Sequence, residues 1–201
     1  MLKLIVFLGN PGRKYEYNRH NAAWMLADAQ PFSHLLHWQK KHGGLYACTD
    51  GIHFLKPQAF MNLSGEPAMA AASFYKISLN EIIIVHDEIE LPFGTLSLKF
   101  SGGLGGHNGL RSIKACFGSA DFWRLRIGIG RPDGRAPGKG GNPENNKEAG
   151  IADWVLSDFT AAEAEALVPV FSAGAELLTQ ALAVEPESLL PQWAKNKIIT
   201  D

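Results

Sequence analysis

Four short stretches put chemistry-bearing polar residues at the ends of apolar runs. Gly9-Asn10-Pro11-Gly12 leads to Arg19-His20-Asn21, and Lys56-Pro57 leads to Phe60-Met61-Asn62. Val85-His86-Asp87-Glu88 closes a run of Ile, and Gly105-Gly106-His107-Asn108 opens the segment that carries Leu110. Apolar runs build a scaffold, and the loops at their ends carry function. A His, an Asp and three amides, with no Cys or Ser in a nucleophile setting, predict a hydrolase that activates water directly.

His20 is the candidate general base, because an imidazole near its ordinary pKa of about 6.5 exchanges protons at neutral pH. The plainer reading is a histidine packed at a helix start. Asp87 is the candidate partner. A carboxylate that accepts Nδ1–H would fix the tautomer and stabilise the imidazolium. His86 and Glu88 compete for that role, and Glu90 reads as surface. Asn10, Asn62 and Asn108 each read as turn formers. Jointly they are expected to clamp a peptide backbone or a developing oxyanion. His107 is expected either to donate to a substrate or phosphate, or to cap the helix that follows.

The Gly-rich run 101–106 suggests close approach of backbone to a ligand. It is neither a Walker loop nor a dinucleotide fingerprint, so no cofactor is expected. No metal site is expected either, because the seven histidines show no HxxxH-type spacing. Lys99, Lys114, Arg124, Arg126 and Arg131 gather in the second half, which leaves room for a phosphate-tracking patch.

The elements that must position these residues follow from periodicity. Residues 2–8 read as a strand buried on both faces, and 81–86 as a second. Strand 95–100 alternates, with Thr95, Ser97 and Lys99 expected on a wet face. Strand 123–130 sets an apolar face against a small or basic one. Asp50-Gly51 between two β-prone runs predicts a type I′ hairpin. Helices are expected over 21–29, over 64–76 with Ser64 as cap, and over 107–118. Another runs over 160–183, opened by the capping box Thr160-Ala161-Ala162-Glu163, and a shorter one follows Pro186. Segment 32–42 is ambiguous, and 154–156 is expected as a short edge strand. Residues 131–150, rich in Gly, Pro and Asn, are expected as a long mobile loop.

Alternating strands and helices predict an α/β layered fold with a central mixed, mostly parallel sheet flanked by helices. Its ligands would sit beyond strand ends, where Asn10 and Asp87 both fall.

At 201 residues with 46% apolar content, the chain is expected to form one domain spanning 1–201. A formal net charge of −1 does not announce a nucleic-acid binder, though it permits a local basic patch. Cys48 and Cys116 are expected as reduced, buried thiols in a reducing compartment. No apolar stretch is expected to span a membrane, which makes a cytoplasmic location the default.

Taken in order, these motifs resemble the bacterial-type peptidyl-tRNA hydrolase family. They are Leu8 to Gly12, Tyr15, Arg19-His20-Asn21, Lys56-Pro57 to Gly65 and His86-Asp87-Glu88. Leu91-Pro92, Gly94, Gly105 to Leu110 and Arg124 to Gly130 complete the set. The resemblance covers nearly all of residues 1–160. It implies a monomeric α/β enzyme that hydrolyses the ester joining a peptide to the 3′ end of tRNA, with no metal or cofactor. Such an enzyme recycles tRNA from stalled or aborted translation. By the same resemblance, His20 is the general base, Asp87 its supporting acid and Asn10 the residue that tells blocked from free aminoacyl groups. Asn62 and Asn108 match substrate-binding amides. Tyr15 and Phe60 lie near the acceptor end, and Met61 lines the cleft. Lys99 and Arg126 match, more loosely, basic residues facing tRNA phosphates.

The chain departs from the family pattern at Asn18, Ala23, Ala59, Ser97 and Leu104, and in a longer 131–150 segment. None of these removes a catalytic group. Two other readings share the motifs: a non-catalytic RNA-binding module, like the chloroplast splicing factors that resemble this family, and a small-molecule esterase.

Overall fold

A computed structural model describes residues 1–29, 31–132 and 147–199. Its centre is β1 (Leu4–Phe7), whose four residues are all buried. Strand β1 pairs in parallel with β4 (Ile52–Pro57) on one side and β5 (Ile82–Glu88) on the other. A third parallel pair joins β5 to β7 (Trp123–Gly128). Antiparallel strands extend both flanks. β2 (Gln39–Lys41) and β3 (Gly44–Thr49) lie beyond β4. β6 (Thr95–Phe100) and β8 (Asn196–Lys197) lie beyond β7. Among the described residues the sheet has eight strands in the order β2-β3-β4-β1-β5-β7-β6-β8. The fold is therefore α/β with a mixed sheet, and its four central strands run parallel.

Alternation along the strands builds two cores. Ile5, Phe7, Ile83 and Val85 face α1 (Ala22–Asp28) and α6 (Ala161–Ala183). Leu4, Val6, Ile82 and Ile84 face α3 (Gly65–Tyr75) and α4 (Asn108–Phe117). Between β3 and β4, Asp50 and Gly51 both take positive φ, 50° and 76°. That is the pairing a type I′ turn requires, and it fixes the hairpin register. The Thr160 capping box forms as read, with Thr160 Oγ1 accepting from Glu163 N.

Several expectations are corrected. Ser64 precedes α3, but its side chain makes no cap; the Gly65 N–H is taken up by Ser112 Oγ at 2.9 Å. The side of β6 expected to be wet is covered: Thr95 and Ser97 are buried, because the chain's end returns as β8 and Ser97 Oγ donates to Ala194 O. Residues 154–156 are not an edge strand. Trp154 and Val155 end α5 (Lys147–Val155), and Leu156 carries on its turn with its N–H donating to Ala152 O. The ambiguous segment 32–42 resolves into α2 (Phe32–Leu35) and β2. Cys48 is exposed on β3 and Cys116 only half-buried; each is the next-to-last residue of its element, where the packed face runs out. Of 131–150, expected as a mobile loop, residues 133–146 lie outside the described residues, and residues 147–150 are not loop but the start of α5.

Helix α6 also departs from expectation. Its 23 residues have the length and hydropathy of a membrane span. One face, including Leu167, Val170, Leu177 and Leu178, is built into the core against the sheet. Its apolar character is thereby used inside the fold.

Candidate active site

The parallel pairing of β1 with β5 sets two chain exits side by side, with Phe7 opposite Val85. Asn10 leaves one and Asp87 the other, at the sheet position where α/β folds hold ligands. A 3₁₀ turn, Arg19–Asn21, lays His20 over the end of β5. His20 Nδ1 lies 2.8 Å from Asp87 Oδ1, and both side chains are buried. Asp87 is an acceptor here, so the proton sits on Nδ1 and the Nε2 lone pair is the free one. Burial pulls the His20 pKa down, but the charge and hydrogen bond of Asp87 outweigh it and raise the pKa above 6.5. Burial pushes Asp87 up, yet His20 and His107 hold it well below the usual carboxylate range.

His107 takes the capping role, one of the two expected of it, and its other nitrogen turns to Asp87. As the N-cap of α4 its Nδ1 accepts from Gly109 N at 3.1 Å and Leu110 N at 3.4 Å. Its Nε2 must then carry the proton, which it gives to Asp87 Oδ1 at 3.0 Å. Gly109 makes this possible: a Cβ there would lie 2.6 Å from Met61 Sδ, so α4 could not approach. His86, the local rival, is fully buried and donates from Nδ1 to Asp87 O at 2.6 Å. Burial keeps its pKa well below 6.5, so it is no base for a substrate.

Asn10 is held from two directions. Asn21 accepts the Asn10 N–H at 2.8 Å and donates to the Asn10 carbonyl at 3.0 Å. The Asn10 side-chain oxygen accepts Met61 N–H at 2.8 Å. That contact decides the amide's orientation, because a backbone donor requires the oxygen, and it leaves Nδ2 for the cleft.

Asn10, His20, Asp87, Met61 and His107 join Tyr15, Phe60, Asn62 and Asn108 around one cleft of about 760 Å³. Tyr15 and Phe60 meet edge to face at 6.4 Å between centroids, and Phe60, Asn62 and Asn108 are exposed at the rim. The fold thus gathers nine of the eleven residues singled out in the sequence. Lys99 and Arg126 are absent from the cleft lining. They lie on the other side of Glu88, with Arg126 donating to Ser97 Oγ at 2.7 Å and reaching Glu88 at 3.7 Å. Their neighbour Arg124 is buried and gives its guanidinium to the carbonyls of Ser101 and Gly103, a structural duty.

Sequence reasoning missed three features. The first is Arg111, one turn into α4, which lines the cleft. The second is the wall made by Ile151, Ala152, Val155 and Leu156. The third is a two-histidine, one-carboxylate trio: the ligand-type atoms of His20, Asp87 and His107 all lie within 4.8 Å of one another. That trio is capable of holding a metal ion, and no chain spacing announces it, because its members come from three elements.

Arg19 explains how the wall is fixed. Its guanidinium pairs with Glu163 at 2.9 and 2.8 Å, donates to Ser157 Oγ at 3.2 Å, and stacks 3.7 Å from the Trp154 ring centroid. A planar bidentate fork on an aromatic face is a task for arginine rather than lysine.

The peptidyl-tRNA hydrolase family profile matches residues 4–200. The chain belongs to the peptidyl-tRNA hydrolase family. It is 43% identical to the peptidyl-tRNA hydrolase of Treponema pallidum (strain Nichols), covering 99% of this chain and 98% of that one. It is also 43% identical to that of Dichelobacter nodosus, with 96% and 98% covered. The crystal structure of peptidyl-tRNA hydrolase from Acinetobacter baumannii superposes with a TM-score of 0.71 at 31% identity, over 95% of this chain and 91% of that one.

Proposed function

We propose that this cleft hydrolyses the ester between a peptide, or N-blocked aminoacyl group, and the 3′ end of tRNA, returning tRNA from stalled or aborted translation. The observation that carries the reading is the buried His20–Asp87 pair, 2.8 Å apart, at the floor of a cleft lined with amides. With its Nδ1 proton engaged, His20 takes a proton from water at Nε2, and that water adds to the ester carbonyl. Asp87 stabilises the imidazolium. Asn10 Nδ2 and the amides of Asn62 and Asn108 hold the peptide and the carbonyl. The adduct then breaks its bond to the ribose oxygen, which takes the proton back from His20 and leaves as the alcohol, so no covalent enzyme intermediate is needed, and none of the steps calls on a metal.

Further along the substrate, Tyr15 and Phe60 would receive the terminal base, and Lys99 and Arg126 more distant phosphates. Family membership supports this reading, as does the conjunction of base, acid and amides in one cleft. We place the enzyme in the cytoplasm, where peptidyl-tRNA arises, acting as a monomer.

The test compares an N-acylaminoacyl-tRNA with the same ester lacking tRNA, with and without EDTA. The tRNA substrate should be cleaved far faster, at a rate EDTA leaves intact. His20→Ala should lose about 10²–10⁴-fold in turnover with little change in tRNA affinity. Substantial turnover by that variant would sink the mechanism. Equal rates on the two esters would point to a simple esterase, and tRNA binding without turnover to a binding module.

A further inference from the structure

The substrate read for this cleft is a polyanion, yet two carboxylates, Asp87 and Glu88, line the cleft. Among the described residues Arg111 is the one lysine or arginine in that lining. It is exposed, and its side chain makes no hydrogen bond or ion pair with a described residue. Other arginines of the second half are committed: Arg124 to backbone carbonyls, Arg126 to Ser97 and Glu88, and Arg131 to Glu90.

Arg111 is also close to the chemistry. Its backbone N–H donates to His107 O at 3.0 Å, and the His107 ring lies 4.9 Å from that of His20. One helical turn, about 5.4 Å, therefore separates Arg111 from a ring touching the base. In an ester of the terminal ribose, the first negative charge is the phosphodiester one nucleotide back, at a comparable remove. The end of α4 does not hold that charge unaided, because His107 already takes the Gly109 and Leu110 N–H groups. Nor is the guanidinium screened: beside it stands Gly106, where even a Cβ would be 3.9 Å from Nη2.

We propose that Arg111 binds the phosphodiester joining the last two nucleotides of tRNA, and so makes the cleft select a nucleic acid over a simple acyl ester. This rests on the reading of the cleft given above. Its planar fork matches two phosphate oxygens, which a lysine ammonium does not. Lys99 and Arg126, outside the cleft, are left for phosphates further along the strand.

The experiment uses three substrates with one N-acetylated amino acid: its ester on adenosine, on the dinucleotide cytidylyl-adenosine, and on full-length tRNA. Arg111→Gln should raise KM about tenfold on the dinucleotide and equally on tRNA, a penalty that is missing on the adenosine ester. Arg111→Lys should fall between. The salt slope of KM on the dinucleotide should drop by roughly 0.7. An equal penalty on all three esters would overturn the proposal, since Arg111 would then shape the site. A penalty confined to full-length tRNA would overturn it too, by moving the contact up the acceptor strand. If the wild-type protein cleaves none of the three, the reading of the cleft itself fails, and that result is visible without any variant.

Discussion

His107 donates its Nε2 proton to Asp87 at 3.0 Å, onto the same carboxylate oxygen that His20 holds. His20 therefore shares its carboxylate with a second imidazole, whose own orientation is set by the first turn of a helix.

That sharing has a measurable sign. A general base works when deprotonated, so kcat/KM should rise with pH through the pKa of His20, which lies above 6.5. Asp87→Asn removes the charge that raises it, so the inflection should move down and the plateau should fall. His107→Ala removes a donor that draws on the same charge, so the inflection should move up. A pH–rate profile of the three proteins checks both. Shifts in the same direction for the two variants would mean that His107 is not coupled through Asp87.

Asn10 has two separable duties. Asn10→Ala should leave the buried Met61 N–H unpaired, costing about 1–3 kcal/mol, read as a lower denaturation midpoint. Asn10→Asp keeps an acceptor for Met61 but loses the Nδ2 donors and gains a carboxylate that suits an ammonium. It should hold its midpoint better than the alanine variant, yet narrow the rate gap between N-acylaminoacyl-tRNA and aminoacyl-tRNA. Both are read from one titration and one pair of rate assays. An unchanged gap in Asn10→Asp would refute the selectivity role.

Arg19→Ala should destabilise the fold by about 3 kcal/mol, because it leaves Glu163 with its Thr160 capping contacts alone and unstacks Trp154 in a largely buried setting. Urea unfolding measures it. The wall at Ile151 and Val155 loses its anchor, so KM should rise as well. A loss below about 1 kcal/mol, the level of a surface pair, would show that the clamp is not needed.

Much of this was legible in the residues. Asn10 and Asp87 stood out because each follows a buried run, and the sheet order then makes those runs neighbours. Asp50-Gly51 and the Thr160–Glu163 box announced their turns through local chemistry alone. What escaped was non-local. Thr95 and Ser97 look wet until the chain's end folds over them. Arg111 resembles any solvated helix residue until α4 is placed against β5. Helix α5 begins inside the 131–150 stretch, whose Gly and Pro content argued for loop. Cys48 and Cys116 were misjudged because apolar neighbours in sequence say nothing of whether the end of an element is covered.

The Arg19–Glu163 pair joins residues 144 positions apart, and Glu163 belongs to the turn that starts α6. During synthesis, Asn10, His20 and Asp87 leave the ribosome long before the partner that fixes the segment next to the base. A chain cut short before α6 would carry every reacting side chain with its clamp unmade. The order of translation thus delays the closing of that clamp until the first turn of α6 has been made.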